Sequence, residues 1–154
     1  MRQTETLVEL YKARGKTCAT AESCTGGGVG SAITAVPGSS AVFYGGVISY
    51  DNSVKENVLG VRSATLKTVG AVSSECAAEM AEGARRLLKV DVAVSVTGIA
   101  GPDGGSAEKP VGLVWFGLAT ESGVRTEKAI FAGDRAKIRE NAVMHAIGML
   151  TTAI

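Results

Sequence analysis

A serine followed closely by glycines is the feature of this sequence that most suggests chemistry. Ser23 lies in the stretch Thr20-Ala-Glu-Ser-Cys-Thr-Gly-Gly-Gly28 and is followed closely by three glycines. Glycines let a substrate approach the main chain, and the helix expected after Ser23 offers unpaired N–H groups to negative charge. This pattern suits acyl transfer, in which an oxyanion needs donors. A simple helix cap at Ser23 is the alternative, and both interpretations stay open on these residues alone.

A serine nucleophile needs a base, and Lys55 is the best-placed candidate. The sole histidine, His145, lies on the apolar face of a predicted helix, which disfavours a Ser-His-Asp triad. Lysine can replace histidine when burial lowers its pKa from about 10.4 toward neutrality. Lys55 falls in the turn after Tyr50, which ends a predicted strand, so the two side chains can converge. A solvated lysine and a half-buried tyrosine are the alternative.

The cysteines offer a second nucleophile but no metal centre. Cys24 adjoins Ser23, and a helix N-terminus lowers the pKa of a thiol. Cys18 and Cys76 fall in a predicted strand and a predicted helix, where we expect small core residues. Three cysteines without paired spacing predict neither a disulfide framework nor a zinc site.

A glycine-rich loop follows the most apolar predicted strand, where α/β proteins bind ligands. It runs from Gly98 to Pro110 and is long for a connection inside a compact domain. It matches neither a phosphate loop nor a dinucleotide fingerprint. A wall around a substrate and a flexible connection both remain open. Arg135, in the first turn of the last predicted helix, suits either a bound phosphate or an exposed ion pair.

The elements that must position these residues alternate between helix and strand. A capping-box spacing from Thr6 to Glu9 predicts the start of the first helix. The most regular apolar helical stripe runs from Ala77 to Leu88 and includes Leu87. Strands are predicted over 16–21, 42–50 and 90–98, with a hairpin of 111–119 and 124–131. We therefore predict one three-layer α/β/α domain over residues 1–154, with a mixed, mostly parallel sheet that includes one antiparallel hairpin.

Composition and charge narrow the class of protein. The net charge of +1, with 45% hydrophobic and 20% charged residues, is typical of a globular domain and gives no field suited to a polyanion. No stretch reaches the ~18 apolar residues of a membrane span, and the first residues do not form a signal peptide core. We expect a cytoplasmic protein without direct nucleic-acid or membrane contact.

Four motifs in order resemble the competence/damage-inducible CinA C-terminal domain family. They are ATAESCTGG, FYGGVISYDNSVKENVLGV, VSVTGIAGPDGG and KPVGLVWFGLA, and the likeness covers essentially the whole chain. The resemblance implies an α/β/α fold and a homo-oligomer. It also implies a stand-alone form without the molybdopterin-binding-like domain that precedes this unit in longer members.

The family's known activity converts nicotinamide mononucleotide to nicotinate mononucleotide and ammonia, in pyridine nucleotide salvage, without metal or cofactor. The resemblance places the family's serine on Ser23 and its tyrosine and lysine on Tyr50 and Lys55. Lys55, directly or through Tyr50, would take the proton as Ser23 attacks the carboxamide. Backbone N–H groups around Cys24, Thr25 and Gly26 would hold the oxyanion.

Contacts to the rest of the nucleotide follow as hypotheses. Glu22 or Asp103 would face the cationic pyridinium. The predicted contacts around the substrate are otherwise Gly27, Thr97, Gly98, Gly101, Gly104, Gly105 and Arg135. Two other functions stay open: a nucleotide-binding module in which Ser23 is a cap and Lys55 contacts phosphate, and an amidase or esterase for another pyridine nucleotide.

Overall fold

The computed structural model describes residues 2–154 as a mixed sheet of five strands with helices on both faces. The strands are β1 Cys18–Glu22, β2 Phe43–Ile48, β3 Val92–Gly98, β4 Leu113–Thr120 and β5 Gly123–Ile130. The helices are α1 Arg2–Arg14, α2 Gly28–Thr34, α3 Asn52–Asn57, α4 Ser63–Thr68, α5 Ser74–Leu88 and α6 Arg135–Thr152, with a short 3₁₀ turn at Ser39–Ala41.

The strand order is β2-β1-β3-β4-β5, and only β4 runs against the other strands. The predicted three-layer fold with a mixed sheet and one hairpin is therefore confirmed. Because β2, β1 and β3 are parallel neighbours, their carboxyl ends meet at one edge of the sheet. Ser23 donates its N–H to Val96 O at 2.9 Å, and Ser49 donates its N–H to Glu22 O at 2.7 Å. The residues that follow β1, β2 and β3 are thus held side by side.

Two apolar cores separate the layers. One lies between the sheet and α1, α2 and α6, and includes Tyr11, Val94 and Phe116. The other lies under α5 and includes Ala21, Leu59 and Met80. The central strands β1 and β3 are buried along nearly their whole length, as expected for strands covered by helices on both faces of the sheet.

Three local predictions were wrong. Thr6 does not cap the first helix, because α1 begins at Arg2 and the Thr6 hydroxyl donates to Arg2 O at 3.0 Å inside it. Leu87 is exposed, although its spacing predicted an apolar contact. No helix starts directly after Ser23, because residues 24–27 form a turn and α2 begins at Gly28. Within residues 2–154, no helix is long and apolar enough to cross a membrane.

Candidate active site

A cleft of about 200 Å³ lies at the carboxyl edge of β1, β2 and β3 and collects about half of the predicted site residues. The predicted residues that line it are Ser23, Cys24, Tyr50, Lys55, Thr97, Gly98 and Arg135. Ala100, which lies in the loop predicted to contact the substrate, also lines the cleft, and sequence reasoning missed three further lining residues, Asn52, Ala71 and Val72. The cleft therefore joins segments that are far apart in sequence.

Ser23 and Lys55 are in direct contact at the base of this cleft. Ser23 follows β1 and is 8% exposed, and Lys55 lies on α3 and is 1% exposed. The Lys55 Nζ atom lies 3.0 Å from Ser23 Oγ. Asp51 caps α3 by accepting the N–H of Ser53 at 3.0 Å, which fixes the turn that carries Lys55.

Two main-chain carbonyls complete the surroundings of the Lys55 amine. Nζ donates to Ser49 O at 2.6 Å and to Tyr50 O at 3.0 Å. A neutral amine has two N–H bonds and one lone pair, and carbonyl oxygens can only accept. When both N–H groups are used on the carbonyls, the lone pair is left for the Ser23 hydroxyl. This arrangement makes Lys55 able to accept the Ser23 proton.

Burial lowers the pKa of Lys55 from its ordinary value of 10.5. Negative charge on Cys76, Asp51 or Cys24 acts in the opposite direction but does not reverse the shift. No carboxylate among residues 2–154 lies within ion-pair distance of Nζ. A larger fraction of Lys55 is therefore neutral at moderate pH than of a solvated lysine.

Tyr50 contributes its carbonyl to this site rather than its hydroxyl. Its side chain is 64% exposed, and the hydroxyl accepts a long hydrogen bond of 3.4 Å from Arg135 Nη2. The hydroxyl has no hydrogen bond to Ser23 or Lys55. Of the two predicted routes for the proton, directly to Lys55 or through Tyr50, the contacts favour the direct one.

The turn after Ser23 changes the predicted set of oxyanion donors. The Gly26 N–H donates to Ser23 O at 3.1 Å and is already used. Gly27 adopts φ 99 at the start of α2, a conformation that favours glycine. No other residue among 2–154 accepts a hydrogen bond from the N–H of Cys24 or Thr25. The N–H of Cys24, which lines the cleft, and the N–H of Thr25, which is buried beside it, remain candidate donors, whereas the N–H of Gly26 does not.

The Glu22 carboxylate is occupied by hydrogen bonds within the protein, although a substrate contact was predicted for it. Its side chain is 2% exposed. One carboxylate oxygen accepts from the Thr25 hydroxyl at 2.7 Å and the Val29 N–H at 2.9 Å. The other accepts from the Thr20 hydroxyl at 3.1 Å and the Gly30 N–H at 3.0 Å. Glu22 therefore caps α2, and the predicted contact with a pyridinium is corrected.

Cys24 is not equipped to be the nucleophile. Its thiol packs into the core under α2, and burial raises its pKa to about 11. Lys55 contacts the Ser23 hydroxyl instead. The nucleophile that the geometry favours is Ser23.

The glycine-rich loop contributes its beginning to the site. Gly98 and Ala100 line the cleft, and Gly101 O accepts from Arg135 Nη1 at 2.8 Å. The buried Thr97 hydroxyl donates to Ala71 O at 3.0 Å. Asp103, Gly104 and Gly105 are exposed and lie outside the lining, as does Gly27. The structure thus does not support Asp103 as a contact to the pyridinium.

Two further side chains clarify the site. His145 lies outside the cleft, 2.6 Å from Glu127 Oε1, and stacks on Phe116.

Arg139, which sequence reasoning missed, donates from Nε to Cys24 O at 3.0 Å and from Nη2 to Thr25 O at 3.2 Å. Its position four residues after Arg135 was a usable signal, because residues i and i+4 share a helix face. Among residues 2–154, no cluster of three or more His, Cys, Asp or Glu is suited to hold a metal ion.

The fold and the cleft define an α/β/α protein with a serine–lysine pair at the carboxyl edge of its parallel strands. The CinA C-terminal domain model matches residues 2–154, so the chain belongs to this family.

Similar proteins from bacteria support this assignment. The nicotinamide-nucleotide amidohydrolase PncC of Escherichia coli K12 is 49% identical over 97% of this chain and 92% of its own length. The CinA-like protein of Thermotoga maritima is 50% identical over 93% of this chain. The chain spans only 35% of the length of that protein, and the same share of a relative from Thermoanaerobacter.

Solved structures show the same fold. The competence damage-inducible protein A of Klebsiella pneumoniae superposes with a TM-score of 0.95 at 37% identity, over 99% of this chain and 94% of the other. The competence/damage inducible protein CihA of Agrobacterium tumefaciens gives a TM-score of 0.92 at 43% identity, over 96% and 93%.

Proposed function

We propose that this chain hydrolyses the carboxamide of nicotinamide mononucleotide to nicotinate mononucleotide and ammonia. The contact between Ser23 Oγ and Lys55 Nζ carries the proposal, because it pairs a nucleophile with a buried amine inside a cleft. Near full-length likeness to the E. coli nicotinamide-nucleotide amidohydrolase supports the substrate.

The reaction proceeds by acyl transfer. Neutral Lys55 takes the hydroxyl proton as Ser23 Oγ attacks the carboxamide carbon. The N–H groups of Cys24 and Thr25 hold the resulting oxyanion. Collapse of the tetrahedral intermediate breaks the C–N bond, and the proton on Lys55 passes to the leaving ammonia. Lys55 then takes a proton from water as the water oxygen attacks the ester carbon. Collapse of this second intermediate breaks the bond to Ser23 Oγ, which takes the proton back from Lys55, and nicotinate mononucleotide is released.

The mouth of the cleft is suited to the nucleotide end of the substrate. Arg135 lines it and offers a guanidinium that can bind phosphate through paired hydrogen bonds. The exposed ring of Tyr50 lies beside it and presents an aromatic face to the cationic pyridinium. We assign phosphate binding to Arg135 and ring packing to Tyr50.

A binding module without chemistry is the less favoured function. In that interpretation Lys55 contacts phosphate, but its amine is buried and bonded to Ser23 and two carbonyls. An amidase for another pyridine nucleotide would use the same pair, and a panel of substrates separates it from the main proposal. We also propose a cytoplasmic homo-oligomer, as the resemblance implies, with no metal or cofactor.

The decisive experiment measures ammonia release from nicotinamide mononucleotide by the purified protein with a chelator present. We expect release by the wild type and by Ser40→Ala, since Ser40 is exposed and lies outside the cleft. Ser23→Ala should lower the rate by about 10³-fold or more, because the nucleophile is removed. Release that persists in Ser23→Ala would exclude the serine mechanism. Nucleotide binding without release by the wild type would favour the binding module.

A further inference from the structure

The turn that carries Ser23 is held from outside by a guanidinium that does not line the cleft. Arg139 on α6 donates to Cys24 O at 3.0 Å and to Thr25 O at 3.2 Å. No carboxylate among residues 2–154 lies within ion-pair distance of Arg139. Its positive charge is therefore directed at two main-chain carbonyls.

Because peptide groups are planar, the hydrogen bonds to these carbonyls also fix the direction of the neighbouring N–H groups. In a trans peptide unit the C=O of one residue and the N–H of the next point in opposite directions. Among residues 2–154 the cis peptide is at Gly101-Pro102, so the units of this turn are trans. By holding Cys24 O on the α6 side, Arg139 directs the Thr25 N–H away from α6. The Gly26 N–H bond to Ser23 O fixes the Cys24 N–H in the same way.

A carboxylate holds the same turn at another point. Glu22 accepts from the Thr25 hydroxyl at 2.7 Å and from the N–H groups of Val29 and Gly30 in the first turn of α2. The turn is thus fixed between an anion and a cation, each acting through directional hydrogen bonds. Hydrogen bonds from a charged donor also polarise the peptide groups that accept them, which strengthens their N–H groups as donors.

We infer that Arg139 is a positioning residue for the oxyanion site, acting through the peptide groups of Cys24 and Thr25. This inference rests on the proposed acyl transfer at Ser23. It assigns different tasks to two arginines one helical turn apart on α6. Arg135 lines the cleft and binds substrate, whereas Arg139 prepares the donors that stabilise the transition state.

The test compares Arg139→Met and Arg139→Lys with Arg86→Met, a control for an exposed arginine on α5. Two rates are measured: hydrolysis of nicotinamide mononucleotide, and phosphonylation of Ser23 by a fluorophosphonate, which needs the same oxyanion donors. For Arg139→Met we expect both kcat and the phosphonylation rate to fall by about 10- to 100-fold, below the 10²–10³ known for loss of a whole donor. KM should change by less than about 3-fold, because only transition-state stabilisation is lost.

Arg139→Lys keeps the charge and can hold one carbonyl, so its rates should lie between those of Arg139→Met and the wild type. Thermal unfolding reports whether each variant is folded. If Arg139→Met does not fold, Arg139→Lys decides, and a phosphonylation rate equal to that of Arg86→Met would overturn the inference. Equal rates in a folded Arg139→Met, or a loss seen only in KM, would also overturn it.

These outcomes separate the inference from the proposed function. A wild type that is phosphonylated but does not release ammonia would refute the substrate and leave Arg139 testable by phosphonylation. A wild type that is inactive in both assays would refute acyl transfer, and the role of Arg139 would fall with it.

Discussion

The choice of partners for Lys55 decides how the residue can act as a base. A carboxylate beside a buried lysine would stabilise the ammonium and raise its pKa. Ser49 O and Tyr50 O instead satisfy the N–H groups without adding a full negative charge. The lowering of the pKa by burial therefore persists, and the lone pair stays directed at Ser23. The two main-chain carbonyls thus satisfy the N–H groups of Lys55 without raising its pKa, as a carboxylate would.

The pH dependence of the reaction should report this arrangement. The base is neutral Lys55, and burial lowers its pKa. We therefore expect kcat/KM to rise with pH through an apparent pKa below 10.5 and to level off above it. The measurement is hydrolysis of nicotinamide mononucleotide from neutral to alkaline pH. Lys55→Met should be inactive throughout, whereas Lys67→Met on α4 should follow the wild-type profile. A profile that falls with pH in this range would contradict the assignment.

Residue types together with the family resemblance pointed to Ser23 and Lys55, but not to the direction of every side chain. Tyr50 was predicted from its place at a strand end, yet its ring turns to the cleft mouth and its carbonyl faces Lys55. Glu22 was predicted to contact substrate because it precedes Ser23, but the turn over 24–27 brings the start of α2 back onto its carboxylate. Such directions depend on tertiary contacts that spacing does not encode.

At the scale of elements, α2 begins in an unusual way. It is seven residues long, its N-cap is Gly27, and it receives no capping side chain from that position. Glu22, seven and eight residues before Val29 and Gly30, accepts both of their N–H groups. A sequence search for caps examines the residue directly before a helix, so it could not identify this one. The cap also connects β1 to α2 across the turn at residues 24–27.

Replacing this carboxylate should destabilise the protein. In Glu22→Gln the amide NH₂ must face a backbone N–H, either of Val29 or of Gly30, and neither can accept. We expect the free energy of unfolding to fall by about 1–3 kcal/mol, the penalty for an unsatisfied buried polar group. Urea unfolding measures it, with the exposed Glu9→Gln on α1 as the control. A Glu22→Gln protein as stable as this control would show that the four hydrogen bonds are not needed.

At the scale of the whole molecule, strand direction is what assembles the cleft. Alternating helices and strands predicted a sheet whose parallel strands end at one edge, and this edge holds Ser23, Tyr50 and Thr97. The pairing of β1 with both β2 and β3 was not predictable, because short apolar strands carry no signal of their neighbours. The same holds for the position of α6 over the turn at residues 24–27, so spacing could place Arg139 on the same helix face as Arg135 but not against this turn.

The position of Lys55 also depends on how closely α5 packs. Gly83 of α5 lies against the main chain of Leu59, just after α3, and an added Cβ would overlap the Leu59 carbonyl oxygen. Its backbone is helical, so alanine brings no backbone strain at this site. Main-chain atoms cannot rotate away as a side chain can. Either α5 or the segment that carries Lys55 must therefore shift in Gly83→Ala.

We expect Gly83→Ala to lower the free energy of unfolding by about 1–3 kcal/mol, the range for overpacked cores, and to lower kcat. Gly148→Ala on α6 is the matched control, because its Cβ would meet only the movable end of the Gln3 side chain. There alanine should raise stability by up to ~1 kcal/mol through helix propensity alone. Thermal unfolding and ammonia release measure both effects. If both variants gained stability, propensity would outweigh packing, and α5 would not be what holds α3 against the Ser23 turn.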